Sequence, residues 1–198
     1  MAAATIPGVA LATVAKGEVS VMTMGVAELD SERPVAEATV FDVASLSKPV
    51  AAYIALQLAD DGTFDLDKPL SGIVQKDVPP QLASSPITAR HVLTHTSGLP
   101  NLRGGEPLRT YFPPGSWFSY SSVGFTYLQM ALEAATAESL EALAKRMVFD
   151  PLGMQSSSFQ WRDRFSEDAA TPHDGERRLE KHRPAAAHAS YSLQTTAG

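Results

Sequence analysis

Two β-prone runs, Val9-Ala-Leu-Ala-Thr-Val-Ala15 and Val19-Ser-Val-Met-Thr-Met24, flank Lys16-Gly17-Glu18. This spacing predicts a β-hairpin over residues 8–27, with Gly17 taking the positive φ that a tight turn needs. The constraint is severe, because a lone two-stranded hairpin does not hold itself together in water. Helices must cover it or further strands must join it, and the chain beyond residue 45 is mostly helical in pattern.

From Ser45 the period changes. Val50, Ile54 and Leu58 fall four apart with Ala51 and Ala55 beside them, Asp61-Gly62 supplies a stop, and Pro49 fits only a first turn, so a helix starts close to Ser45. Thr88 is placed to cap a short helix through Thr94, which ends before Gly98 and Pro100. Ser121 or Ser122 caps a helix to about Ala135. Thr136-Ala-Glu138 opens another, which ends at Asp150-Pro-Leu-Gly153. Residues 160–184 are polar, charged and aperiodic, and are expected to form a surface excursion rather than a packed element. Within it, Arg162, Arg164 and Arg177 alternate with Asp163, Glu167 and Glu176, the pattern of a solvated face.

A chain of 198 residues fits a single domain, 1–198. Its formal charge of −6 argues against general nucleic-acid or anionic-membrane partners, which require a basic patch. The absence of cysteine excludes disulfides and thiolate chemistry while leaving the compartment open. No apolar run reaches the length of a membrane span, and the N-terminus lacks a basic n-region and cleavage site, so a cytoplasmic location is the default expectation, with a periplasmic or secreted one left open for a chain truncated at its N-terminus.

Ser45-Leu46-Ser47-Lys48 sits where a loop enters a helix, and the i, i+3 spacing turns the hydroxyl and the amine to one face. A serine hydroxyl is a poor nucleophile until a neighbour takes its proton, and a lysine so placed is a candidate. The helix start adds N–H groups and the positive end of the dipole for a developing oxyanion. An isolated S-x-x-K occurs by chance and is commonly no more than a cap and a solvated lysine. Tyr120, just before a helix cap and after a Pro-Gly turn, stands apart from Tyr53, Tyr111 and Tyr127, which are expected to be core aromatics. A phenol beside a Lys⁺ is pushed toward phenolate and can pass one proton back and forth.

The hairpin with Pro7-Gly8, the approach from Phe41 to Lys48, Leu93-Thr-His-Thr-Ser-Gly-Leu99, Pro114-Gly-x-x-Phe-x-Tyr-Ser121 and Pro151-Leu-Gly-Met154 occur in one order and spacing. Together they resemble the serine β-lactamase-like family, which includes class C β-lactamases, D-Ala-D-Ala carboxypeptidases and related esterases. The resemblance implies an α/β protein of the α+β type, an antiparallel sheet flanked by helices. It also implies acylation of Ser45, assistance by Lys48, and general base and acid work by Tyr120. The substrate it implies is a small ester, β-lactam or D-alanyl amide, with no metal and no cofactor.

Two departures stand out. The family's Tyr-x-Asn reads Tyr120-Ser121-Ser122, which favours esters and leaves Ser122 as a substrate-orienting hydroxyl. The third motif, Lys-Thr-Gly or His-x-Gly on a strand, is not found; His173-Asp-Gly175 matches formally but reads as a turn. The expectation is a domain incomplete at the C-terminus, with the remaining strands and helices outside this chain. A non-catalytic or merely binding protein of the same architecture is therefore the second reading.

Other candidates are weaker. His91 and His95 are spaced as in H-E-x-x-H, but Val92 replaces the glutamate, so one packing histidine is expected instead of a zinc site. Gly104-Gly105 lacks the strand, lysine and hydroxyl of a phosphate loop. Trp117 and Phe118 either line an acyl pocket beside Tyr120 or anchor their loop in the core, the anchor being preferred.

Overall fold

The computed structural model describes residues 5–74, 79–102, 107–173 and the backbone of 194–195. Strands β1 (Gly8–Ala15) and β2 (Glu18–Glu28) form the expected hairpin, in register from Gly8 opposite Gly25 to Ala15 opposite Glu18. Its two-residue turn puts both Lys16 (φ 53°) and Gly17 (φ 85°) in the left-handed region, whose twist matches that of the strands. A bulge between Val26 and Glu28 bends β2 so that β3 (Arg33–Pro34) pairs with its far end. Beyond the hairpin, β4 (Phe41–Asp42) pairs antiparallel with β5 (Gln194–Thr195).

Helix α1 (Ser47–Asp60) begins two residues later than Ser45, which lies in a 3-10 turn over Ala44–Leu46. After it come α2 (Ala89–Leu93), α3 (Ser122–Thr136) and α4 (Leu140–Ala144), the last running into a π-turn over Lys145–Phe149. The N-caps of α2, α3 and α4 are side chains, whereas α1 has none. Thr88 accepts from the His91 N–H, Ser121 from Gly124, and Ser139 from Ala142. The core forms where these helices meet, and Ile54, Ala55, Leu128, Leu132, Leu140 and Leu143 have no exposed surface.

The outer part of the hairpin has no such cover among the described residues, although Ala27 at its base is buried. Leu11 and Met22 on one face and Val14 and Val19 on the other are half exposed or more.

The segment after residue 160 differs from expectation. Phe165 of α5 (Phe165–Asp168) is 2% exposed, and the next stretch of chain lies against the strands: Val40 N–H donates to Asp168 O (3.1 Å), Ala170 N–H to Val40 O (2.8 Å), and Thr171 N–H to Ala27 O (2.9 Å). Burial of Phe165, the Trp161 ring against its edge and the Arg33 guanidinium on Ala169 O together pin an otherwise polar stretch. Arg162 is likewise no free surface charge, since it pairs with Glu141. Asp174, Gly175 and residues 176–184 lie outside the described residues, as do Gly104 and Gly105.

Gly98 is one position where only glycine fits. Its φ is 76°, and a Cβ there would stand 2.4 Å from Phe112 O. Gly98→Ala is expected to cost about 2–4 kcal/mol, the sum of left-handed strain and a backbone clash, read as a lower urea midpoint.

Candidate active site

The loop that delivers Ser45 is fixed from below. Asp42 Oδ1 accepts from the Ala44 N–H (2.9 Å), and Ala44 itself holds a left-handed φ of 44°, unusual for a residue with a side chain. This kink throws Ser45 outward, so its side chain is exposed, while Lys48, one turn on, is 5% exposed. The Lys48 ammonium donates to Ser45 Oγ at 3.1 Å. Its other neighbours are aromatic faces, with Nζ 5.0 Å from the Tyr120 ring centroid and 5.6 Å from that of Phe125.

Tyr120 closes the cluster from the loop before α3. Partial burial would raise its phenol, but Lys48, Ser45 and Ser122 within hydrogen-bonding reach outweigh it, and the group lies below its ordinary value of 10.0. An alcohol, an ammonium and a phenol inclined to lose its proton thus meet at one point. The sequence spacing placed the first two together; the third arrives across 72 residues of chain.

The strand of chain carrying Tyr120 is laid along residues 95–101 by a ladder of hydrogen bonds. Gly115 N–H donates to Thr96 O (2.8 Å), Ser119 N–H to His95 O (2.8 Å) and Ser122 N–H to Asn101 O (3.2 Å). Ser121 Oγ donates to Pro100 O (2.8 Å) and its N–H to His95 Nδ1 (3.1 Å). The Thr-His-Thr-Ser-Gly stretch is therefore the mould for the tyrosine loop.

Ser122, expected to orient substrate, is 5% exposed and donates its Oγ to Asn101 Oδ1 at 3.0 Å. Asn101 stands outside it, exposed. Nothing in the sequence marked this asparagine, because it is contributed by a loop 21 residues upstream. Trp117 and Phe118 are 70% and 73% exposed, which overturns the core-anchor reading. Phe118 instead lies edge-on against the His95 ring at 5.9 Å. Of the tyrosines expected in the core, Tyr127 alone is buried, whereas Tyr53 and Tyr111 are exposed. The two histidines do not converge on a metal position: His91 Nδ1 completes the cap of α2 with Thr88, and His95 Nδ1 is taken by Ser121. A concavity of about 460 Å³ bounded by Tyr53, Asp60, Arg146 and Leu152 contains none of Ser45, Lys48 or Tyr120.

The sequence model of one family, Beta-lactamase, matches residues 1–198. The chain is 32% identical to Esterase EstB of Burkholderia gladioli over 185 residues, covering 77% of this chain and 46% of that protein. It is 28% identical over 157 residues to Penicillin-binding protein 4* of Bacillus subtilis (strain 168), covering 68% of this chain and 34% of that protein. Among solved structures, a class C beta-lactamase superposes with a TM-score of 0.84 at 25% identity, over 96% of this chain and 56% of the other. The D-alanine carboxypeptidase AmpC of Burkholderia cenocepacia superposes at 0.85 with 24% identity, over 99% of this chain and 57% of the other. The chain thus spans about half the length of these relatives, or less.

Proposed function

The chain belongs to the Beta-lactamase family, and from that membership we propose that it is a serine hydrolase whose Ser45 forms an acyl-enzyme on a small ester. The observation that carries the reading is the 3.1 Å hydrogen bond from Lys48 to Ser45 with the Tyr120 phenol beside both. Ser45 Oγ attacks the ester carbonyl and forms a C–O bond while its proton passes to the Tyr120 oxygen. Lys48, as the ammonium, offsets the charge on the phenolate before transfer and on the oxyanion after it. The phenol then returns the proton to the departing alcohol as the carbonyl reforms, and water later releases the acid from Ser45.

Esters are favoured over amides because Ser122 supplies a short, buried hydroxyl where the family carries an asparagine, and an alkoxide leaves with less assistance than an amine. Asn101, held by Ser122 and exposed beside it, is in our reading the carboxamide that meets the substrate. Trp117 and Phe118 offer an apolar flank for the acyl or alcohol part.

The test is covalent. A fluorophosphonate is expected to add one phosphonyl mass to the folded wild-type chain, mapped by peptide sequencing to Ser45, and p-nitrophenyl butyrate to be turned over faster than nitrocefin. A protein that is folded by circular dichroism yet unmodified at Ser45 is a non-catalytic member of the family.

A further inference from the structure

We propose that His95 is a positioning residue for Tyr120, acting only as the neutral imidazole protonated at Nε2. The proposal rests on the acyl-enzyme reading above but draws on separate contacts. A backbone N–H can only donate, so the 3.1 Å contact from Ser121 N–H obliges His95 Nδ1 to carry a lone pair. The same residue accepts at its carbonyl from Ser119 (2.8 Å), so His95 grips the chain on both sides of Tyr120. Its ring lies 4.4 Å from the Tyr120 ring at 33°, with Phe118 and Phe125 against its remaining sides at 5.9 and 5.4 Å.

The backbone supports the same conclusion. His95 holds φ at 56°, a left-handed value that glycine or asparagine would adopt with less strain. At this φ the histidine commits its ring nitrogen to the neighbour of the phenol, a contact that asparagine would partly reproduce and glycine would not. Protonation would remove the acceptor and add a second cation to a cluster that already holds Lys48. Among the described residues, the titratable groups facing the ring are Lys48 from α1 and Tyr120 from the loop before α3; Phe118 and Phe125 are uncharged. Burial first, and the Lys48 charge second, hold the imidazole below its ordinary 6.5. A base held low is neutral in the fold above that ordinary value. It is protonated, at the expense of the contact, only as pH falls through its lowered one.

Two substitutions isolate the contact, because both accept a left-handed φ. His95→Asn keeps an acceptor near the Nδ1 position and cannot titrate; His95→Gly keeps neither acceptor nor ring. The phosphonylation rate of Ser45 at pH 7.5 is expected to fall about 10- to 100-fold in His95→Gly and to recover most of that loss in His95→Asn, the loss expected of a misplaced catalytic group. Below the ordinary imidazole range the wild-type rate is expected to show an additional acid inflection that is absent in His95→Asn. Nitrogen-detected NMR of the wild-type imidazole, independent of any turnover, should show an unprotonated Nδ1 at neutral pH, with ionisation moving up in Lys48→Ala. Equal rates in wild type and His95→Gly, equal impairment of the two variants at unchanged melting temperature, or a protonated Nδ1 would each overturn the proposal. Failure of wild-type Ser45 to label overturns the hydrolase reading instead, and the NMR result still decides the protonation of His95.

Discussion

Lys48→Ala and Tyr120→Phe are each expected to slow phosphonylation of Ser45 by about 10²–10⁴-fold, and the double variant to lose little more than the worse of the two. The reason is geometric. Lys48 Nζ lies 3.1 Å from Ser45 Oγ and 5.0 Å from the Tyr120 ring, and the phenol reaches both Ser45 and Lys48, so a single proton has a single route. Removing either member closes that route, and a closed route is not closed further by a second deletion. If lysine and tyrosine acted on separate steps, the losses would multiply. Stopped-flow labelling of the two single variants and the double variant distinguishes these outcomes directly. Ser45→Ala serves as the zero, since it has no atom to phosphonylate.

The second large effect falls on stability, far from the chemistry. Glu141, in the first turn of α4, is 8% exposed, and its two oxygens are fully engaged. Oε1 accepts from Ser158 Oγ (2.9 Å) and from Arg162, and Oε2 from the Phe159 N–H (2.6 Å). Ser158 is completely buried and Phe159 nearly so, but the Ser158 hydroxyl also lies 2.7 Å from Gln160 O, so the Phe159 N–H is the donor that depends on Glu141. Glu141→Ala leaves the buried Phe159 N–H unpaired, while the Ser158 hydroxyl turns to Gln160 O (2.7 Å) and Arg162 keeps Ser158 Oγ (3.0 Å) and solvent, at an expected cost of about 1–3 kcal/mol. Arg162→Ala should cost much less, because the arginine is partly solvated and the carboxylate keeps its other two donors. Urea unfolding midpoints of the two variants make the comparison, and near-equal losses would show that the ion pair rather than the buried hydrogen bonds supplies the stability.

The parts of this fold that are local were legible in the sequence. Lys16-Gly17 turns the hairpin, Thr88 and Ser121 cap their helices, and Ser45 and Lys48 face each other one turn apart, because each depends on residues within four positions. Features that depend on distant partners were not. Phe165 pins a stretch that reads as solvated, Arg162 finds Glu141 across 21 residues, and Asn101 meets Ser122 from another loop. Trp117 and Phe118 misled for a related reason, since side-chain size argues for burial only where a second surface stands opposite. His95 was visible within a motif, but its task was not, because a ring nitrogen's role depends on which group donates to it.

The bare hairpin carries a practical implication for material handled at high concentration. Strand β1 runs Gly8–Ala15 without one charged residue or proline, and it forms the outer edge of its sheet among the described residues. Such a ribbon lacks the lysines, prolines and kinks by which natural sheets discourage strand-by-strand self-association. Strand β1 is therefore the expected route of self-association at high concentration, and light scattering alongside titration of the nucleophile checks it.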